Sequence, residues 1–205
     1  MTIACWQHRH TGWGEAFHQK GGSVMKATTC MAVVLTLVAG LLVGCATAPA
    51  SRAERETLLA ESSVAMKRMS AEAPGVAALV QRGYGYALFP KVTKGGLGVG
   101  GAHGQGVVYE RGRHVGYCDL TQATVGLQAG GQTFSELLVF ENKGALDRFK
   151  AGQLNFTADA SAVVLKTGVA ADISFVDGVA VVVSPIGGAM VEAALGGQQF
   201  TYQAI

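Results

Sequence analysis

The hydrophobic pattern of the chain changes character twice. Met31 to Val43 is an almost unbroken apolar stretch. From Ser51 to Arg82 apolar residues recur near the 3.6-residue period: Leu58, Ala65 and Met69 form a stripe, flanked by Leu59, Val64 and Met66. Glu54, Arg55, Glu56, Glu61, Lys67 and Arg68 fall at other angles. Ser51 with Glu54 three positions on is a capping box, and Pro74 ends this helix or starts the next. Val76, Ala77, Leu79 and Val80 predict a short second helix ending at Gly83.

After Gly83 the period falls to two. Tyr84–Phe89 reads as a strand closed by Pro90, and residues 96–110 and 114–120 as a hairpin turning at Arg111-Gly112-Arg113. Thr124–Gln132 and Ser135–Phe140 read as two more strands. Asn142 caps a helix with Ala145, Leu146 and Phe149 toward the core. Ala158–Leu165, Val179–Ser184, Ala189–Leu195 and Gln198–Tyr202 read as further strands, with a hairpin turn at Asp177-Gly178. Strands do not alternate with helices, so βαβ units are not indicated. The predicted class is α+β: a mainly antiparallel, curved, Gly-rich sheet, an N-terminal amphipathic helix, and one helix inserted near residues 142–151.

The most distinctive stretch is YGYALFPKVTKGGLGVGGAHGQGVVYE, from Tyr84 to Glu110. Gly95, Gly96, Gly98, Gly100 and Gly101, and later Gly126 and Gly130, are expected to be structural. A strand face without side chains must have something packed closely against it. Gly96, Gly98 and Gly101 satisfy G-x-G-x-x-G, but they lead into a strand rather than a helix N-terminus, which argues against a nucleotide site.

Composition sharpens this picture. Apolar residues make up 49% and charged residues 15%, well below the ~25% charged of typical soluble proteins. The formal charge of +2 vanishes once the leader is set aside. Without the first 44 residues 13 basic side chains face 13 acidic ones. A nucleic-acid partner is therefore not expected, and an anionic partner must be met by a local patch.

Residues 25–44 have the layout of a secretory signal: Met25-Lys26, the apolar run, then small residues. Leu42-Val43-Gly44-Cys45 resembles the lipobox of bacterial lipoproteins, in which the cysteine is acylated, for example with palmitate, and becomes the first residue. The competing reading is an uncleaved membrane helix, since Ala27 to Ala50 carries no charge. Residues 1–24 lack periodicity and are read as an upstream extension from a mis-assigned start. Residues 45–52 would be a lipid-anchored tether, 53–82 a helical shoulder and 83–205 the β-rich domain. Cys118 is then the single thiol of the mature domain and is expected to be buried and inert.

The segment from Gly83 to the C-terminus resembles the SYLF domain family, bacterial lipoprotein branch. Ala87-Leu88-Phe89-Pro90, Lys94 to Gly101, Gly104 to Val108 and Gly126 to Gly130 carry the likeness, with Glu136 to Phe149 similar to the family's strand-then-helix segment. The resemblance implies lipid binding; eukaryotic relatives look like phosphoinositide binders, and some fungal members are described as binding actin. Tyr117-Cys118-Asp119-Leu120 departs from the Trp-x-x-Pro-type segment of many relatives. The helix before Gly83 has few basic residues and no aromatic. An exported bacterial protein would meet neither phosphoinositides nor actin in its own cell, so neither specificity is carried over.

The functional expectation is an envelope lipoprotein that binds anionic phospholipid head groups. Candidate contacts are Lys67, Arg68, Arg82, Lys91, Lys94, Arg111 and Arg113, with His114 beside the last two. The alternative is a structural lipoprotein that binds an envelope protein or itself. No catalytic residue, metal site, cofactor or nucleotide is expected. Two histidines and scattered carboxylates after residue 45 show no metal spacing, and no G-x-S-x-G occurs. Ala46 after the cysteine resembles the sorting pattern of the outer membrane, periplasmic face.

Overall fold

The computed structural model describes Pro49 and residues 51–154, 162–164 and 173–205. The expected leader, Cys45 and most of the strand expected at 158–165 lie outside the described residues.

Helix α1 (Arg52–Glu72) starts where the capping box predicts. The Glu54 amide donates to Ser51 Oγ at 3.2 Å, and the Ser51 amide donates to Glu54 Oε2 at 3.1 Å. Two of the four orphan amides of the first turn are thereby satisfied. Pro74 precedes α2 (Gly75–Arg82), which closes at Gly83. The stripe Leu58, Ser62, Ala65 and Met69 is buried with Val76 and Leu79 against Leu88, Val107, Tyr117, Leu137, Val139 and Val182. The apolar stripe of α1 is thus occupied by the sheet, which removes it from the membrane-surface role such a helix could have had.

The sheet contains β1 (Gly85–Glu110), β2 (Arg113–Phe140), β3 (Ala162–Val164) and β4 (Val179–Ala204), in the order β1-β2-β4-β3. The first two pairings are antiparallel, while β3 joins β4 in parallel. The architecture is α+β with a mainly antiparallel sheet. Helix α3 (Lys143–Lys150) begins at Asn142, whose Oδ1 accepts from the Ala145 amide at 3.0 Å. Its Ala145, Leu146 and Phe149 enter an inner core with Phe89, Val108, Leu120, Leu138, Phe140 and Phe200.

Three expectations are corrected. Pro90 does not close a strand. β1 continues through it, because the ladder shifts between Phe89 and Val92 and leaves the proline outside the regular pairing, where its missing N–H costs nothing. The segments expected at 114–120, 124–132 and 135–140 belong to one strand, as do those at 179–184, 189–195 and 198–202. Glycines bend these strands without breaking them, since all three neighbours bend at the same level and keep their pairing. The Arg111-Gly112 and Asp177-Gly178 turns form as expected, all four residues having positive φ.

The bare face of β1 is filled by β1 itself. A Cβ on Gly106 would lie 2.8 Å from the Leu88 carbonyl oxygen, and one on Gly104 would lie 3.0 Å from the Lys91 carbonyl oxygen. At one end the Arg111 amide donates to the Tyr84 carbonyl; at the other, Gly96 and Gly100 nearly touch. The two halves of β1 therefore run against each other, folded at Gly98, whose φ is +73°.

Candidate functional site

The seven basic residues expected at a head-group site do not form one patch. Lys67 is exposed on α1, and Lys91 is exposed where β1 bulges. Beside Lys91 lies a cleft of about 370 Å³, lined by Ala60, Glu61, Val64, Ala65, Arg68, Pro90, Lys91 and Ile186; Lys67 is on the same helix but does not line it. Arg68 is half-buried and structural. Its Nη2 donates to Ser135 Oγ at 2.7 Å, and its Nε stands 3.7 Å from Glu72 Oε1. Ser135 Oγ in turn donates to the Pro90 carbonyl, and Ser184 Oγ donates to Glu72 Oε2. This network fastens the end of α1 to the sheet.

Lys94 corrects the sequence reading. It is only 4% exposed, on the inner side of the sheet, and does not present its ammonium to the surface. The remaining candidates, Arg82, Arg111 and Arg113, are exposed at the hairpin end, with the Arg111 guanidinium 4.8 Å from the centre of the Tyr84 ring. Beside them Glu110 accepts from Lys150 Nζ at 2.7 Å and from the Tyr84 hydroxyl at 2.9 Å. The Lys150 contact, then the Tyr84 contact, hold the Glu110 carboxyl below the usual range. His114 adds no charge near neutral pH, because burial lowers its pKa below the ordinary 6.5.

Of the glycines expected to be structural, Gly96 and Gly98 make the fold of β1, and Gly100 lies against the Gln128 side chain. Gly126 and Gly130 sit at the matching bend of β2. Gly95 and Gly101 lie in the ladder with ordinary or slightly tight spacing to β2. Cys118 is buried, and desolvation followed by the nearby Asp119 pushes its thiol pKa well up, so the thiolate is disfavoured.

Two features escaped the sequence reading. One is a buried polar layer: Gln122, Thr124, Gln128, Glu136 and Gln198 are each at most 5% exposed. Thr124 Oγ1 donates to Gln128 Oε1 at 2.8 Å, and Gln198 Nε2 donates to Glu136 Oε2 at 3.1 Å. The other is a set of exposed aliphatic residues at the strand bends, Leu97, Val99, Val125 and Leu127. The signal for them was a glycine beside each, in stretches without charge.

Among the described residues, no group of three or more metal-ligating side chains converges, and no helix is long and apolar enough to cross a membrane. No protein-family model and no curated protein matches the chain.

Proposed function

We propose that the chain is an envelope lipoprotein, acylated at Cys45 and held at the periplasmic face of the outer membrane, whose SYLF-like domain binds anionic phospholipid head groups. The observation that carries this reading is the cleft beside α1, a mainly apolar trough whose charged lining is Lys91, Arg68 and Glu61, with the exposed Lys67 nearby on the same helix. An ammonium at such a rim attracts a phosphate while the trough accommodates the glycerol and upper acyl carbons. Each basic residue near an anionic surface contributes about 1 kcal/mol. Weak contacts suffice in a tethered domain, because the anchor raises the local concentration of lipid. Arg68 shapes the trough through Ser135 and Glu72, and Arg82, Arg111 and Arg113 supply a separate cationic end.

Co-sedimentation of the full chain with vesicles tests this. Lys67→Ala with Lys91→Ala is expected to weaken binding to phosphatidylglycerol-containing vesicles roughly thirtyfold at low salt, the ~2 kcal/mol of two such contacts. Binding that ignores both anionic lipid and ionic strength would sink the proposal. Mass spectrometry of the mature N-terminus should find an acylated Cys45.

A further inference from the structure

The distal ends of the three long strands invert the usual arrangement of a soluble sheet. As far as Leu120 and Phe200 the inward positions of the first arm of β2 and the end of β4 are apolar; beyond them the buried positions include Gln122, Thr124, Gln128 and Gln198, which face the buried Glu136 and Lys94 among Ala102 and Phe134. Outside, where none of the described helices covers the sheet, Leu97 is 83%, Leu127 81%, Val99 67% and Val125 66% exposed. Polar inside and apolar outside is the pattern of a sheet whose outer solvent is lipid.

The register gathers these residues at one place. Leu97 pairs with Ala129 and Val99 with Val125. On the other side of β2, Val125, Leu127 and Ala129 pair with Leu195, Ala193 and Val191. Three bends therefore lie side by side. Between the β1 and β2 bends is a shallow cavity of about 470 Å³, floored by Leu97, Gly98 and residues 126–129. From Gly95 to Ala102, Thr121 to Ser135 and Pro185 to Phe200, Glu192 is the single charged residue. The opposite end carries Glu110, Arg111, Arg113, Asp147, Arg148, Lys150 and Asp177.

We infer that this tip is a membrane-dipping wedge, which sinks its four aliphatic side chains into the acyl region of a bilayer independently of head-group charge. The inference shares with the proposed function only that the chain meets a membrane. Charge segregation selects lipid as the occupant: the end with a single charged residue in its sequence suits hydrocarbon, and the end rich in charges suits water. The area argues the same way. Four aliphatic side chains expose on the order of 400 Å², about half of the ~800 Å² that each partner contributes to a standard protein interface. Immersion by about 5–10 Å, the depth reached by interfacial segments, covers the bends and leaves Lys91, six residues behind Leu97, on the water side. The strand ladder continues through Leu97–Ala129 and Val125–Leu195, so most backbone groups enter already paired.

The test uses the natural placement of tryptophan, at positions 6 and 13 alone. In the full chain carrying W6F, W13F and C45S, a single introduced indole reports its own surroundings and residue 45 cannot be acylated. Leu97→Trp and Leu127→Trp are each expected to shift their emission to the blue with phosphatidylcholine vesicles, with or without phosphatidylglycerol, and to be quenched by brominated acyl chains. Val176→Trp, exposed at the charged end beside Asp177, is expected to stay water-like. Leu97→Asp with Leu127→Asp should lower binding to pure phosphatidylcholine by at least about tenfold, with the urea midpoint unchanged. Tip indoles that stay water-like with vesicles overturn the wedge, even where charge-dependent binding persists. So does a dimer in solution that the double Asp variant dissociates without altering vesicle binding, which would assign the tip to a second copy. Loss of salt and head-group dependence alone removes the head-group site and leaves the wedge standing.

Discussion

Replacing Gly106 by alanine puts the doubled-back arrangement of β1 to a quantitative test. The added methyl would lie 2.7 Å from Phe89 Cδ1, 2.8 Å from the Leu88 carbonyl oxygen and 3.0 Å from Cys118 Sγ. None of these neighbours retreats easily. Leu88 and Phe89 are held in the ladder by Leu137 and Glu136, and the Phe89 ring lies 5.9 Å from that of Phe200. Overpacking of this kind costs about 1–3 kcal/mol, offset by the ~0.4–1 kcal/mol gained when a glycine loses unfolded-state freedom. The net expectation is a loss of about 1–2 kcal/mol, or roughly 2–8 °C in Tm for a chain of this size. Gly197→Ala is the matched control, because a Cβ there meets nothing within 4 Å. It should be neutral or slightly stabilising. Urea denaturation, read as a shift in midpoint at constant slope, separates the two. If Gly106→Ala is as stable as the parent, the halves of β1 are not in contact and the account of the glycine-rich strand is wrong.

Three further substitutions probe the fold. Burial pushes the Asp119 carboxyl up to about 6, against its usual 3.8; nearby His103 and the Thr201 and Gln105 contacts oppose the rise only in part. The native state therefore binds this proton more tightly than the unfolded chain, so stability is full at low pH and falls as pH rises from about 4 through 6. Asp119→Asn should abolish that decline and stabilise the protein at pH 7 by on the order of 1–3 kcal/mol; urea midpoints that differ equally at pH 4 and pH 7 would refute it. Met69→Ala, in the fully buried seam between α1 and the sheet, should cost about 2–5 kcal/mol. Val64→Ala, 65% exposed on the same helix, should change stability by less than about 0.5 kcal/mol. Equal effects of the two would mean that α1 does not dock on the sheet.

Features determined within a few residues were legible in the sequence. The Ser51–Glu54 box, the Asn142 cap, the Arg111-Gly112 and Asp177-Gly178 turns and the core face of α3 all depend on local hydrogen bonds and one element's periodicity. Strand length was not legible. Pro90 and the glycines near positions 98, 126 and 130 punctuate the sequence, yet a ladder is interrupted only where its neighbours disagree, and here they bend together. Two of the candidate site residues are placed differently from the expectation for a related reason. Lysine next to glycine reads as surface, but Lys94 falls on the inward side of a strand whose interior is polar at that level. Arg68 likewise looked like half of a basic pair, and only the sheet beneath it supplies the Ser135 partner that makes it structural.

The change of chemistry along the inward face follows from the glycines themselves. The close packing of the halves of β1 leaves little room between them, and the tilted rings of Phe89, Phe149 and Phe200 fill the wider end beside α3. Farther out, the register carries Ala102 to Gln122 and Gln122 to Gln198, three neighbours across the sheet that include no large apolar side chain. Amide side chains suit that narrow space because they bond across it, as Gln198 does to Glu136 and Gln128 to Thr124. An interior lined in this way has no place for Leu97, Val99, Val125 or Leu127. The same glycine pattern that seals β1 against itself thus turns the aliphatic residues of its bend outward. Filling the polar layer, for example at Thr124, should leave the tip's exposure unchanged, whereas opening the β1 fold at Gly98 should remove both together.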